Sequence, residues 1–123
     1  MSEQYEKGAK VMHDIYDGIV GVAKEGDSRF GDLMIPHIFG RLWDDSILPH
    51  KERRLFTMGI IAAMGEYGIF EIQATAALRR KELTPEQLHE LCCQAAPYAG
   101  YPRSGGLLAA VRRAVEAAAA EGA

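Results

Sequence analysis

Apolar residues recur every three to four positions along most of this chain, the spacing of helices that bury one face. The first such segment runs from Gln4 to Lys24, with its lysines and aspartates on the opposite stripe. Similar segments follow, joined by short connections, and none shows the alternation typical of a strand. The pattern predicts an all-α fold, a bundle of six or seven helices.

Two interruptions of this pattern define the middle of the chain. Pro36 lies inside an apolar stretch, so we expect two short helices that meet near Ile35. From Leu55 to Gly65 the run LFTMGIIAAMG has one polar residue, Thr57. We therefore expect both faces of this central helix to be covered by protein.

The stretch from Leu83 to Leu108 carries the strongest helix signals. Its start, Thr84-Pro85-Glu86-Gln87, matches a capping box with proline at the first helical position. Its helix should end at the break Tyr98-Ala99-Gly100-Tyr101-Pro102, after which a final helix starts.

Composition restricts the possible functions. A chain of 123 residues fits one domain, residues 1–123. The net charge of -3 and a pI near 5.8 give no electrostatic case for nucleic acid. No apolar run reaches the roughly 20 residues that span a bilayer, and the N-terminal residues lack the apolar core of a secretion signal. We therefore expect a cytoplasmic protein without a membrane partner.

Neither the cysteines nor the histidines form a recognisable reactive or metal-binding set. Cys92 and Cys93 are consecutive, and helical neighbours point about 100° apart, so we expect free thiols. His13, His50 and His89 have no metal-ligand spacing with a third ligand nearby. The sequence predicts no metal.

Three segments, in this order, resemble the carboxymuconolactone decarboxylase family within the alkylhydroperoxidase D-like fold. The most specific feature is the Tyr-x-Gly-x-Pro ending after a Thr-x-x-(Glu/Gln) cap. The segments span roughly residues 30 to 115; they are Ile38–Trp43 with Leu48 and Arg54, the Leu55–Gly65 helix, and Leu83–Pro102. The resemblance implies a homo-oligomer, trimer or hexamer, with a small pocket near subunit contacts. It also implies chemistry without metal or organic cofactor, on a lactone that bears a carboxylate.

The chain departs from the family pattern at one informative position. The family's helix after the central one usually carries a histidine, and Gln73 aligns with it here. Glutamine cannot exchange a proton near neutral pH, which argues against genuine carboxymuconolactone decarboxylation. The peroxidase branch of the fold needs a Cys-x-x-Cys at about this point, and none is present. The chain resembles a divergent member of the family.

The candidate groups for proton transfer are Glu66, Glu71 and His37. A glutamate in an apolar crevice can have a raised pKa, although most such glutamates are solvated. His37 follows Pro36 and could replace the missing histidine from another helix, or it could be an ordinary core or interface residue.

The candidate substrate-binding residues are Gln73, Tyr98, Tyr101, Arg41 and Trp43. The tyrosines lie at the helix break, where phenols and backbone donors meet, although tyrosines at a helix junction are commonly packing residues. Gln73 could form hydrogen bonds in a pocket or lie on a solvated stripe of its helix. Arg41, like Arg54, could hold an anion, but ion pairs with neighbouring carboxylates are the more usual role. For Trp43, a core or interface anchor is the more usual role.

These residues lead to a first hypothesis and two alternatives. The first is a cofactor-independent enzyme that acts on a small cyclic oxygenated metabolite by proton transfer, through decarboxylation, isomerisation or lactone or ring opening. The second is a non-catalytic oligomeric protein that binds a ligand or partner on the same scaffold. A thiol-dependent peroxidase is the weakest alternative.

Overall fold

A computed structural model describes residues 2–122, which form six α-helices and one π-helical segment, with no strand in that range. The all-α prediction is confirmed. No helix in this part of the chain is long and apolar enough to cross a membrane. The elements, in chain order, are α1 (Glu3–Ile15), α2 (Arg29–Met34), the π-helical segment (Ile35–Leu42), α3 (His50–Met64), α4 (Tyr67–Arg79), α5 (Pro85–Ala99) and α6 (Tyr101–Gly122).

The chain divides into two compact units, one ending at Arg53 and the other beginning at Arg54. The boundary falls near the start of α3. Each unit has its own hydrophobic core. The single-domain organisation stays a prediction.

The N-terminal unit is built on α1 packed against the π-helical segment. A Cβ added to Gly8 would lie 2.2 Å from the carbonyl oxygen of Ile35, so only glycine permits this approach. The buried apolar residues of the unit are Tyr5, Met12, Ile15, Ile35, Phe39 and Trp43. Helix α1 is shorter than predicted, because positive φ angles at Asp17 and Gly18 end it after Ile15.

The predicted meeting of two short helices near Ile35, before Pro36, is confirmed. Helix α2 ends at Met34 and the next element begins at Ile35, with proline in its first turn. The type of that element was not predicted. Its wider winding appears in the bond from the Trp43 amide to the Ile38 carbonyl oxygen, five residues back.

The C-terminal unit contains α3 from Arg54 onward, with α4, α5 and α6. Helix α6 packs against both α4 and α5. The predicted capping box at the start of α5 is confirmed, since the Gln87 amide donates to Thr84 Oγ1 (3.1 Å) and the Thr84 amide donates to Gln87 Oε1 (3.0 Å). Gly100, with φ of +105°, then ends α5.

Helix α3 differs from expectation on one face. Met58 and Ala62 are buried, but Phe56, Ile60 and Met64 are 72%, 49% and 65% exposed. These three residues are four apart and form one stripe along the helix. The prediction that protein covers both faces is therefore wrong for this chain alone.

Candidate functional site

An apolar cavity of about 310 Å³, partly open to solvent, lies between α3, α4 and α5 in the C-terminal unit. Its volume is at the lower end of the range usual for small-molecule sites, about 300–1,000 Å³. The residues that line it are Leu55, Met58, Gly59, Ala62, Ala63, Phe70, Leu91, Gln94, Ala95, Tyr98 and Ala99.

Small residues on α3 and α5 contribute to the open space of the cavity. Gly59 and Ala63 lie one turn apart on α3, and Ala95 and Ala99 lie one turn apart on α5. A Cβ built on Gly59 meets no atom within 4 Å. The helices therefore leave open space where larger side chains would meet.

Two polar side chains, Gln94 and Tyr98, line this cavity. They are four residues apart on α5 and so share one face of the helix. Tyr98 is 85% exposed, so most of its side chain is in contact with solvent. An amide and a phenol can each donate a hydrogen bond to a ligand carbonyl.

Gln73 belongs to a different cluster, a buried polar network. Its Oε1 accepts a hydrogen bond from Arg54 Nη1 (2.7 Å), and both residues are almost fully buried. Arg54 Nε donates to Glu82 Oε1 (2.5 Å), and Arg80 Nε donates to Glu82 Oε2 (2.8 Å). Gln73 is not among the cavity-lining residues.

Two arginines determine the protonation state of Glu82 in this network. Burial by itself raises the pKa of Glu82, but the hydrogen bonds and charges of Arg54 and Arg80 outweigh it and hold that pKa below its ordinary value. Glu82 therefore remains a carboxylate at neutral pH. The Glu82 carboxylate balances the positive charge of the buried Arg54 guanidinium, so that charge is not available to bind a ligand.

The three candidate proton-transfer groups do not line the cavity. Glu66 is exposed at the N-cap position of α4. Glu71 accepts a hydrogen bond from Arg113 Nε (2.6 Å). His37 is exposed on the π-helical segment of the N-terminal unit.

The other proposed binding residues are also dispersed. Arg41 borders a polar cleft of the N-terminal unit, where Lys7 and Asp44 form an ion pair (2.8 Å). Trp43 is buried in that unit's core. Tyr101 is 76% exposed at the start of α6. Of the candidates from the sequence, Tyr98 is the one that the cavity lining includes.

The two thiols are free and lie in different environments. Cys92 is buried, and burial together with the nearby Cys93 raises its pKa to about 11. Cys93 is exposed, with Sγ 3.7 Å from His89 Nδ1. Neither lines the cavity, and residues 2–122 contain no group of three His, Cys, Asp or Glu residues arranged to hold a metal ion.

The sequence does contain one signal of the buried network. Arg54, Met58 and Ala62 follow one another at intervals of four, so Arg54 shares the buried face of α3. A charged residue on such a face requires a partner. Glu82, 28 residues later, could not be identified as that partner from spacing alone.

Comparison with known proteins identifies the family. No significant match to a curated protein or to a solved structure was found. The family model described as "Carboxymuconolactone decarboxylase family" matches residues 29–120, which is most of the chain. With the all-α fold and the capped α5 followed by Gly100, this match shows that the chain belongs to the carboxymuconolactone decarboxylase family.

Proposed function

We propose that this chain is a small-molecule-binding member of its family, and that a small cyclic oxygenated metabolite occupies the cavity between α3, α4 and α5. The observation that carries the proposal is the cavity itself, about 310 Å³ with a mainly apolar lining. That space equals about ten water molecules at roughly 30 Å³ each, which suits one ring or two fused rings. Tyr98 and Gln94 supply the polar contacts that orient such a ligand.

Proton-transfer catalysis without a cofactor is the second candidate function. Tyr98 favours it, because it is the one side chain with an exchangeable acidic proton among the described residues that line the cavity. Gln73 supports it less, because Arg54 holds its side-chain oxygen. Binding is therefore the better-supported function, and within one chain the Tyr98 phenol is the group that could take part in decarboxylation, isomerisation or lactone opening.

We also propose that the chain forms a homo-oligomer, with a second copy covering the exposed stripe of α3. Phe56, Ile60 and Met64 present three large apolar side chains in one row, beside the cavity-lining Gly59 and Ala63. Apolar side chains grouped in this way commonly mark interfaces. A trimer or hexamer is the assembly that the family resemblance implies.

Light scattering coupled to size-exclusion chromatography tests the assembly. Phe56→Glu should reduce the molar mass towards that of the monomer, because a carboxylate would be buried at the interface. Phe30→Glu is the matched control, since Phe30 has a similar exposure of 76% but lies in the N-terminal unit. A monomeric wild-type protein would contradict the proposal, as would an equal decrease in molar mass in the Phe56→Glu and Phe30→Glu variants.

Isotope-edited NMR with coumarin, a neutral bicyclic lactone, tests the binding site. Coumarin should shift the amide signals of Phe70 and Leu91, which line the cavity from α4 and α5. Gly59→Leu should abolish these shifts by filling the open space, whereas Gly105→Leu, on α6 and equally free of steric contact, should not. Unchanged signals in a folded wild-type protein would refute a small-molecule site.

Tyrosine variants test the hydrogen bond to the ligand, and a turnover assay distinguishes binding from catalysis. Tyr98→Phe should weaken coumarin binding about fivefold, the value of one hydrogen bond of about 1 kcal/mol. Tyr101→Phe should have a smaller effect, because Tyr101 does not line the cavity. Purified protein should turn over carboxymuconolactone poorly or not at all. Efficient decarboxylation would overturn the preference for binding.

A further inference from the structure

Within one chain, the cavity wall offers hydrogen bonds to a ligand but no positive charge. Gln94 and Tyr98 are its polar side chains, and none of the described residues lining it is lysine, arginine or histidine. A carboxylate that leaves water for such a surface loses its hydration without gaining a cation. An uncharged ligand avoids that loss.

Arg54, the arginine of α3 next to the cavity-lining residues, already forms an ion pair with Glu82. Arg54 precedes the cavity-lining Leu55, but its side chain is fully buried and bonds to Glu82 and Gln73. Turning the guanidinium towards the cavity would break these bonds and leave Glu82 without its closest partner. Charge separation of this kind inside a protein is strongly unfavourable.

A second arginine lies close to the cavity but is held outside it. Arg103 Nη1 donates a hydrogen bond to the carbonyl oxygen of Ala63 (2.5 Å). Its side chain borders a separate cleft with Tyr67 and Gly100. This contact places the guanidinium over the end of α3 rather than on the cavity wall.

We propose that the cavity selects an uncharged ligand of one ring or two fused rings and rejects its carboxylate-bearing analogues. A carbonyl or hydroxyl of the ligand faces Tyr98 and Gln94, and the ring packs against the apolar wall. The inference rests on the proposed binding function and specifies its substrate class. A site of this kind differs from one that binds a lactone bearing a carboxylate.

Isothermal titration calorimetry of the full chain with two matched probes tests the selection. Coumarin is the uncharged probe, and coumarin-3-carboxylate has the same fused rings with one added anionic group. Coumarin should bind at least about 100-fold more tightly, which at 1.4 kcal/mol per tenfold corresponds to about 2.8 kcal/mol. Raising the salt concentration should leave coumarin binding unchanged, since no charge is involved.

The possible outcomes separate the two proposals. Equal or tighter binding of the carboxylate would overturn the charge selection while leaving a small-molecule site in place. If Arg103→Gln then removed the carboxylate's affinity, that arginine would be the missing cation, and the selection would still be overturned. Binding of neither probe by folded protein would overturn the binding function itself.

Discussion

Replacing Glu82 by glutamine should destabilise the C-terminal unit by removing the carboxylate that pairs with the buried guanidinium of Arg54. Arg54 is fully buried, and Glu82 accepts bonds from Arg54 Nε at 2.5 Å and from Arg80 Nε at 2.8 Å. Removing one partner of a buried ion pair costs about 3–5 kcal/mol. Because a tenth of the Glu82 side chain is exposed, we expect the lower end, about 3 kcal/mol.

The assay is urea unfolding followed by circular dichroism at 222 nm. Glu121→Gln is the matched control, because Glu121 also pairs with an arginine, Arg79, but on the surface. The control should lose much less free energy of unfolding, since water replaces an exposed ion pair readily. Equal losses in the two variants would refute the idea that Glu82 neutralises a buried charge.

The pH dependence of stability gives an independent check. The arginines hold the pKa of Glu82 below its ordinary value of about 4.3 in the folded state. The unfolded state therefore binds a proton first as the pH falls, so the stabilisation is present above about pH 4.3 and is lost as the pH falls through the lower, folded-state pKa. Glu82→Gln should remove this part of the acid sensitivity.

Three further predictions concern packing, capping and thiol chemistry. Gly8→Ala should lower the free energy of unfolding by about 2 kcal/mol or more, because the added Cβ would lie 2.2 Å from a backbone oxygen. Gly105→Ala should raise it by about 0.5–1 kcal/mol, because alanine favours the helical conformation of α6 and meets no other atom there. Urea unfolding measures both changes. Thr84→Ala should cost about 1 kcal/mol by removing the α5 cap, and an unchanged unfolding midpoint would contradict its role. Iodoacetamide at pH 8 should label exposed Cys93 at least about tenfold faster than Cys92, which is buried and has a pKa raised to about 11. Peptide mass spectrometry measures both labelling rates.

Local sequence predicts local structure well where side chains act on their own backbone. The Thr84–Gln87 capping box and the break at Pro36 needed only neighbouring residues, and both are found where expected. The first helix was predicted too long because its apolar spacing continues after Ile15. The backbone turn at Asp17 and Gly18 overrides that spacing.

The site could be predicted only in part, because cavities form between helices. Tyr98 was identified from the break that follows it, and it lines the cavity. Gln73 was expected to face the ligand because of its place in the family pattern, but Arg54 from another helix binds it. Helical periodicity gives the face on which a residue lies, but not which residue of a distant segment meets that face.

The sequence by itself determined the helical fold, the ends of its best-capped helix and the family, because these depend on spacing and local hydrogen bonds. Tertiary structure decided which polar groups are already satisfied and where space remains. Arg54, Gln73 and Glu82 come together from three separate parts of the chain, while glycine and alanine on α3 and α5 leave the cavity open. The physical reason is that burial and charge compensation depend on distances between segments, which no local pattern encodes.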